Sequence, residues 1–152
     1  MNYWGILVGG IFVAGLGLIG WRALQPSAAV QGHSMVPPDT SEIAQGAALV
    51  DLILPAELSA DAQIGKRGFE AACAQCHGQN AAGQNGIAPP LVHIIYEPNH
   101  HGDAAFILAA QNGVRAHHWN FGNMPPVDGV TQADVKFITQ YIRELQRANG
   151  IE

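Results

Sequence analysis

Positively charged residues are few in this chain of 152 amino acids, and they are not clustered. Seven Lys and Arg stand against twelve Asp and Glu, for a formal net charge of −5 at pH 7. Because nucleic-acid binding needs clustered cations against phosphates, this composition argues against a nucleic-acid partner. Apolar residues make up 48% of the chain, which is enough for one compact core and excludes a disordered protein.

Charge is also missing from the start of the chain. The stretch from Tyr3 to Trp21 has no charged residue over 19 positions. As a helix rising about 1.5 Å per residue it would span roughly 28 Å, close to the hydrocarbon thickness of a bilayer. Aromatic residues at both ends are typical of membrane interfaces. We therefore predict a single transmembrane helix within residues 1–24.

A cleaved secretory signal is the alternative interpretation, because SAA at residues 27–29 resembles a cleavage site. Signal cores are only about 7–15 residues long and follow a basic segment, whereas no Lys or Arg precedes this one. Under either interpretation the rest of the chain crosses a membrane. We expect an uncleaved single-pass anchor in a bacterial inner membrane and a periplasmic soluble part. Arg22 does not support this orientation, which therefore depends on the cysteine chemistry below.

Residues 25–58 form the next segment, and their prolines and small polar residues predict an extended tether. Its later part, EIAQGAALVDLILP at residues 42–55, contains too many apolar residues for a solvated linker. We expect this apolar segment to lie on the surface of the following domain or on a partner protein.

Strand patterns are absent as well, since no long stretch alternates apolar and polar residues. Three helices are predicted instead: one capped by Ser59 and running through Gln75, one over Asp103–Gln111, and one from a Thr131 cap to Gly150. The predicted fold of residues 59–152 is therefore all-α.

The chain has only two cysteines, Cys73 and Cys76, and His77 follows the second directly. A disulfide between them would close too small a loop to stabilise much. A redox-active CxxC usually begins a helix in a βαβ unit, which this strand-poor chain does not offer. A structural zinc site needs four ligands, and the seven histidines keep that alternative open. CxxCH instead matches one covalent haem c (heme c), in which both thiols bond to vinyl groups and the histidine binds iron.

A six-coordinate haem iron needs a second protein ligand. Among the three methionines, Met124 is the candidate, because it lies in FGNMPPV just before the last predicted helix. Pro125 and Pro126 stiffen its loop, and a thioether ligand raises the reduction potential. His117 and His118 are the competing ligands, and either would produce a lower-potential, bis-histidine haem.

The segment from Ser59 to Gly150 resembles the class I cytochromes c, which are small α-helical proteins folded around one haem. In that family a glycine, an aromatic residue four positions later and the first haem cysteine four positions after that set the first helix against the last. Gly65, Phe69 and Cys73 repeat this spacing. The anchor and tether lie outside this resemblance and look like those of membrane-anchored bacterial cytochromes.

The resemblance implies further site residues. Ile138 and Tyr141 correspond to the family's aliphatic and aromatic pair on the last helix. Pro89 corresponds best to the proline whose carbonyl accepts a hydrogen bond from the iron-binding imidazole, although Pro90 is adjacent. The side chains expected to pack against the haem are Leu91, Trp119, Phe121 and Tyr141, and each of them is otherwise an ordinary core residue.

The implied function is electron transfer without catalysis or a small-molecule substrate. The leading hypothesis is a tethered carrier in a respiratory chain, between a quinol-oxidising complex and a terminal oxidase or reductase. A fixed cytochrome subunit of a membrane oxidoreductase is the alternative. A catalytic or gas-sensing haem protein is a third possibility and would need an open position on the iron.

Five further histidines lie in sequence between the two proposed iron ligands: His93, His100, His101, His117 and His118. They could come together near the haem, bind a second metal or make the potential depend on pH, because histidine titrates near neutrality. They could equally be solvated loop residues, and spacing alone does not bring them together.

Overall fold

The computed structural model describes residues 3–4, 11, 15–18, 20–21 and 34–152. The chain forms two compact units, Met1–Gly32 and His33–Glu152. The described residues of the first unit are helical, and their large apolar side chains are exposed. No helix within the described residues is long and apolar enough to cross a membrane. The transmembrane helix expected within residues 1–24 falls largely outside the described residues and stays a prediction.

Helices dominate the second unit. They are α1 (Ala60–Ala72), α2 (Ala74–His77), α3 (Asp103–Asn112) and α4 (Gln132–Ala148), with short 3-10 turns at Gln79–Ala81 and Ile94–Tyr96. Between residues 34 and 152, β pairing is limited to isolated bridges, Gln84 with Ala88 and Val114 with Met124. The all-α prediction is confirmed for this part of the chain.

The helix ends follow the capping residues read from the sequence. The Ser59 hydroxyl accepts a hydrogen bond from Ala62 N at 3.2 Å. Thr131 and Asp134 form a reciprocal capping box at the start of α4. The first predicted helix was too long: α1 ends at Ala72, and Cys73 joins it to the short helix α2.

Helices α1 and α4 cross at Gly65. A Cβ atom at this position would overlap the carbonyl oxygen of Phe137, so only glycine permits this approach. One turn further along α1, the Phe69 ring packs against the Tyr141 ring, with centroids 5.7 Å apart. The predicted contact between the first and last helices is confirmed. The Gly65–Phe69 spacing places the close backbone approach and the ring contact one helical turn apart on the same face of α1.

The buried face of α4 also carries polar side chains. Gln146, fully buried, donates to Leu91 O at 2.7 Å and to Tyr96 O at 3.0 Å. Arg143 donates to Tyr96 O at 2.9 Å and to the carboxylate of Asp103 at 2.9 Å. Because buried carbonyls need donors, these two side chains fix the loop between residues 91 and 103 on α4.

The apolar segment (residues 42–55) lies on the domain, which is one of the two locations expected for it. Asn85 N donates to Ala47 O at 2.8 Å. Ile53 and Asn149 exchange two hydrogen bonds, each 2.9 Å long, between the Ile53 backbone and the Asn149 side chain. The segment is therefore attached to the domain at two places, Ala47 and Ile53.

Candidate functional site

The CxxCH motif occupies the joint between α1 and α2. Cys73 N donates to Phe69 O at 2.8 Å, and Cys73 O accepts from Cys76 N at 3.2 Å and from His77 N at 2.9 Å. All three motif side chains therefore leave a single helical turn. Both cysteines are free thiols, with Cys73 half-buried and Cys76 exposed.

Two observations on the cysteines bear on the alternatives to haem, which are a redox-active dithiol and a zinc site. Burial raises the pKa of Cys73 to about 11, and the charge of Cys76 adds to the rise. Redox-active dithiols need the opposite shift, because the thiolate is the nucleophile. In the described part of the chain, the group of side chains placed to hold a metal contains neither cysteine. A dithiol centre and a cysteine-bound zinc are both disfavoured.

His77 is held in one orientation. Its ring is only 9% exposed, and Nδ1 donates to Pro89 O at 2.9 Å. Since a carbonyl can only accept, the proton is on Nδ1 and the Nε2 lone pair is left for a metal. Burial lowers the pKa of His77, while the Pro89 bond acts in the opposite direction. The expected hydrogen bond from the His77 ring to a proline carbonyl is present, and the acceptor is Pro89 rather than Pro90.

The loop after the motif folds back over His77. His77 O accepts from Gly83 N at 2.7 Å, and a Cβ atom on Gly78 would lie 2.5 Å from Gly83 O. Asn80 has a left-handed backbone with φ of 54°, and its Oδ1 accepts from the Tyr141 hydroxyl at 3.0 Å. Sequence reasoning missed Asn80; its position between glycines was the available signal, because Asn tolerates positive φ.

Met124 has a fixed backbone and a half-buried side chain. Val114 and Met124 exchange two backbone hydrogen bonds of 2.9 Å, just beyond the end of α3. A Cβ atom on Gly113 would lie 2.5 Å from Met124 O, so glycine permits the close approach. The loop from residue 115 to residue 123 is thus closed at its base, which places Met124 at a defined position.

The four expected haem-packing side chains fall into two pairs. Leu91 and Tyr141 belong to the buried core cluster with Phe69. Trp119 is 6% exposed and stacks on Phe121 with centroids 5.5 Å apart. The core therefore accounts for the burial of the first pair, whereas the second pair forms a separate aromatic stack.

The indole nitrogen of Trp119 indicates whether a haem would fit beside the aromatic stack. Its N–H is buried and makes no hydrogen bond within the described residues. Burial raises the pKa of Tyr96, and the nearby Trp119 N–H partly offsets the rise, but the two groups do not meet in hydrogen-bonding geometry. A buried indole N–H with no protein acceptor, two cysteines on one helical turn and an imidazole with a free Nε2 together fit a haem with acceptor groups of its own.

Four of the five histidines between His77 and Met124 come together, which spacing alone did not reveal. Their rings form the imidazole cluster, made of His100, His101, His117 and His118, with neighbouring centroids 4.3–6.0 Å apart. His93 is not part of this cluster; its ring packs edge-on against Trp119, with centroids 5.4 Å apart. Burial, followed by neighbouring imidazole charges, lowers the pKa of both His101 and His118, although a backbone hydrogen bond on each acts in the opposite direction.

A small helical domain with a CxxCH turn and a carbonyl-oriented histidine defines a c-type haem protein. A family model described as Cytochrome c matches residues 62–146, which is more than half of the chain. This chain belongs to the cytochrome c family; it is an electron-transfer protein with covalent haem c, for which Cys73 and Cys76 fit the attachment motif. No curated protein and no solved structure matches the chain significantly.

Proposed function

We propose that this cytochrome carries single electrons between membrane redox complexes while its N-terminal segment holds it to a bacterial inner membrane. In this proposal His77 and Met124 are the iron ligands, and the haem domain faces the periplasm. The observation that carries the ligation is the Nδ1 bond from His77 to Pro89 O, which directs the ring and leaves Nε2 free.

Met124 is favoured over the two competing histidines by the backbone support of its loop. His118 Nε2 lies 3.3 Å from His100 Nε2 and so faces another imidazole, whereas His117 keeps a free Nε2 because its Nδ1 donates to Arg115 O at 2.9 Å. Met124 itself exchanges two backbone hydrogen bonds with Val114, and this pairing would hold a weak thioether bond closed. This arrangement supports a His/Met pair.

When bound, the haem supplies a one-electron iron couple whose potential depends on the axial ligands and their surroundings. The chain's own contribution is orientation and exclusion of water. Burial favours the neutral form of His77 by lowering its pKa, and the Pro89 carbonyl increases the basicity of its ring. As a ligand, the thioether of Met124 would favour the ferrous state and raise the potential, as an acceptor of electrons from a quinol-oxidising complex requires.

Attachment to the membrane is supported by the uncharged stretch from Tyr3 to Trp21. Large apolar side chains in its described part are exposed, and they are Tyr3, Trp4, Ile11, Leu16, Leu18 and Trp21. Apolar and aromatic side chains in a long uncharged segment are suited to a lipid environment. The proposed partners are a quinol-oxidising complex as donor and a terminal oxidase or reductase as acceptor.

A fixed subunit of a membrane oxidoreductase is the second candidate, and one observation favours it. Ile53 and Leu54 in the apolar segment are 69% and 54% exposed although the segment is bound to the domain. Adjacent exposed aliphatic side chains are suited to a protein contact. Native gel electrophoresis after extraction in mild detergent separates the two candidates: a carrier migrates alone, whereas a subunit comigrates with its complex.

Optical spectroscopy of the full-length haem-loaded protein tests the ligation. The weak near-infrared band of sulfur-ligated ferric haem should be present, lost in Met124→Ala and retained in His117→Ala and His118→Ala. Carbon monoxide binding by the reduced wild-type protein at neutral pH would contradict a firmly bound Met124 and favour a catalytic or gas-sensing function. A band that disappears with either histidine instead would exclude Met124 as the ligand.

A further inference from the structure

Three histidines of the imidazole cluster place their ligand atoms at one point. One ring nitrogen from each of His100, His101 and His118 lies within 4.8 Å of the others. His100 and His118 approach most closely, with their Nε2 atoms 3.3 Å apart. The residues come from two loops, so this convergence is a product of the tertiary structure.

Hydrogen bonding orients the ring of His101 as in a metal ligand. Its Nδ1 donates to Ile95 O at 2.7 Å, which leaves the Nε2 lone pair directed away from that carbonyl. Metal-binding histidines commonly donate their other nitrogen to a backbone carbonyl in this way, because the bond fixes the tautomer and the ring. His101 therefore has a second, independent feature of a ligand.

The loop carrying His100 and His101 is rigidly supported. Glu97 O accepts from His100 N at 3.1 Å and from His101 N at 2.8 Å. From the other side, the buried guanidinium of Arg143 donates to His101 O. A metal would therefore meet these two rings already in position, without ordering the loop first.

The loop carrying His118 is supported in a similar way. The next residue, Trp119, is buried, and Ala116 N donates to the side chain of Asn123 at 3.0 Å across the loop. The backbone hydrogen bonds between Val114 and Met124 close its base. Both halves of the three-histidine site are thus fixed by contacts that do not involve the histidine rings.

The chemistry of the donor set selects the metal. Three imidazoles without a thiolate or carboxylate suit zinc or copper(II) and do not suit the oxygen-seeking calcium and magnesium ions. The three side chains range from exposed to half-buried, so an ion can reach them from solvent. Three protein ligands also leave a fourth position for water, as in open zinc sites.

We propose that His100, His101 and His118 bind a divalent transition-metal ion, zinc or copper(II), at a site separate from the haem iron. The inference does not depend on Met124 being the second iron ligand. The proposal would fail together with that assignment only if His118 itself bound the iron, and the haem spectrum of the His118 variant detects this case.

Isothermal titration of Zn²⁺ into the full-length ferric holoprotein tests the site, with Cu²⁺ and Mg²⁺ titrated separately. We expect one saturable Zn²⁺ or Cu²⁺ per chain and no Mg²⁺ binding. His100→Ala, His101→Ala and His118→Ala should each weaken binding about tenfold or more. His117→Ala, which changes a neighbouring histidine outside the three converging ligands, is the matched control and should still bind one metal ion.

Circular dichroism and the haem absorption spectrum verify that each variant is folded and loaded. Absence of saturable Zn²⁺ and Cu²⁺ binding by the wild-type protein would overturn the proposal. So would full retention of the metal by a folded His100→Ala/His118→Ala double variant. Loss of the normal haem spectrum in folded His118→Ala would assign that ring to the iron and also reject the separate site.

Discussion

The ring of Tyr141 on α4 lies against the ring of Phe69 on α1, with centroids 5.7 Å apart and planes tilted by 56°. The Tyr141 hydroxyl also donates to Asn80 Oδ1 in the loop that follows the CxxCH turn. One side chain thus links the helix crossing, which stabilises the fold, to the loop that covers His77.

Tyr141→Phe should keep the ring contact and remove the hydrogen bond. Burial raises the pKa of Tyr141 to about 12, and the charge of Glu70 adds to the rise, so the hydroxyl is protonated across the ordinary pH range. We expect the free energy of unfolding to fall by about 1 kcal/mol, measured by denaturant titration. Tyr141→Leu removes the ring as well and should cost more; equal losses in the two variants would contradict a contribution from the ring pair.

Gly65→Ala should force α1 and α4 apart. The added Cβ would overlap a backbone oxygen, which cannot rotate away, so overpacking should outweigh the gain of about 1 kcal/mol in helix propensity. We expect a net loss of about 1–2 kcal/mol in the free energy of unfolding. Gly68→Ala is the matched control on the same helix, because its nearest neighbour at 3.1 Å is the movable side chain of Ile138. A smaller loss at Gly65 than at Gly68 would be inconsistent with the crossing described.

Arg143→Lys should destabilise the loop between residues 91 and 103. Lysine cannot reproduce the several donors that Arg143 directs to Tyr96 O, His101 O and Asp103. Buried carbonyls left without donors make a loss of about 2 kcal/mol the expected result in thermal unfolding. Arg147→Lys is the control, since Arg147 is exposed and its contact with Glu144 is 4.0 Å long; its effect should stay within about 0.5 kcal/mol.

The start of α4 should be sensitive to acid. Hydrogen bonds from the side chain and then the backbone of Thr131 lower the pKa of Asp134 below its usual value. A lowered folded-state pKa stabilises the protein above the unfolded pKa, and this stabilisation is lost as pH falls through the folded value. Denaturant unfolding of wild type and Asp134→Asn should therefore differ at pH 7 and converge at strongly acidic pH. A difference that persists unchanged in acid would reject an ionic contribution.

Covalent attachment should be lost only when both cysteines are replaced. Cys73→Ser and Cys76→Ser each leave one thiol to bond a vinyl group, so denatured single variants should still carry the mass of one haem. The double variant should lose the added mass under denaturing conditions, as shown by mass spectrometry. A double variant that retains covalent haem would locate the attachment elsewhere in the chain.

Local patterns predicted most of the helical framework correctly. Ser59 and Thr131 marked the starts of α1 and α4, because capping depends on side chains within a few residues of the helix end. The break at Cys73 was missed, since the apolar and polar pattern runs through it without interruption. The transmembrane segment, the tether and the iron ligands remain predictions that depend on sequence and family resemblance.

The sequence by itself determined the haem-attachment turn, because Cys73, Cys76 and His77 are neighbours whose chemistry follows from their spacing. Only the tertiary structure decided which carbonyl orients His77, and it selected Pro89 over the adjacent Pro90. It also decided that His100 and His101 meet His118, which comes from a different loop. The physical reason is that contacts between distant residues depend on loop paths fixed by buried groups such as Arg143, and no local pattern records those paths.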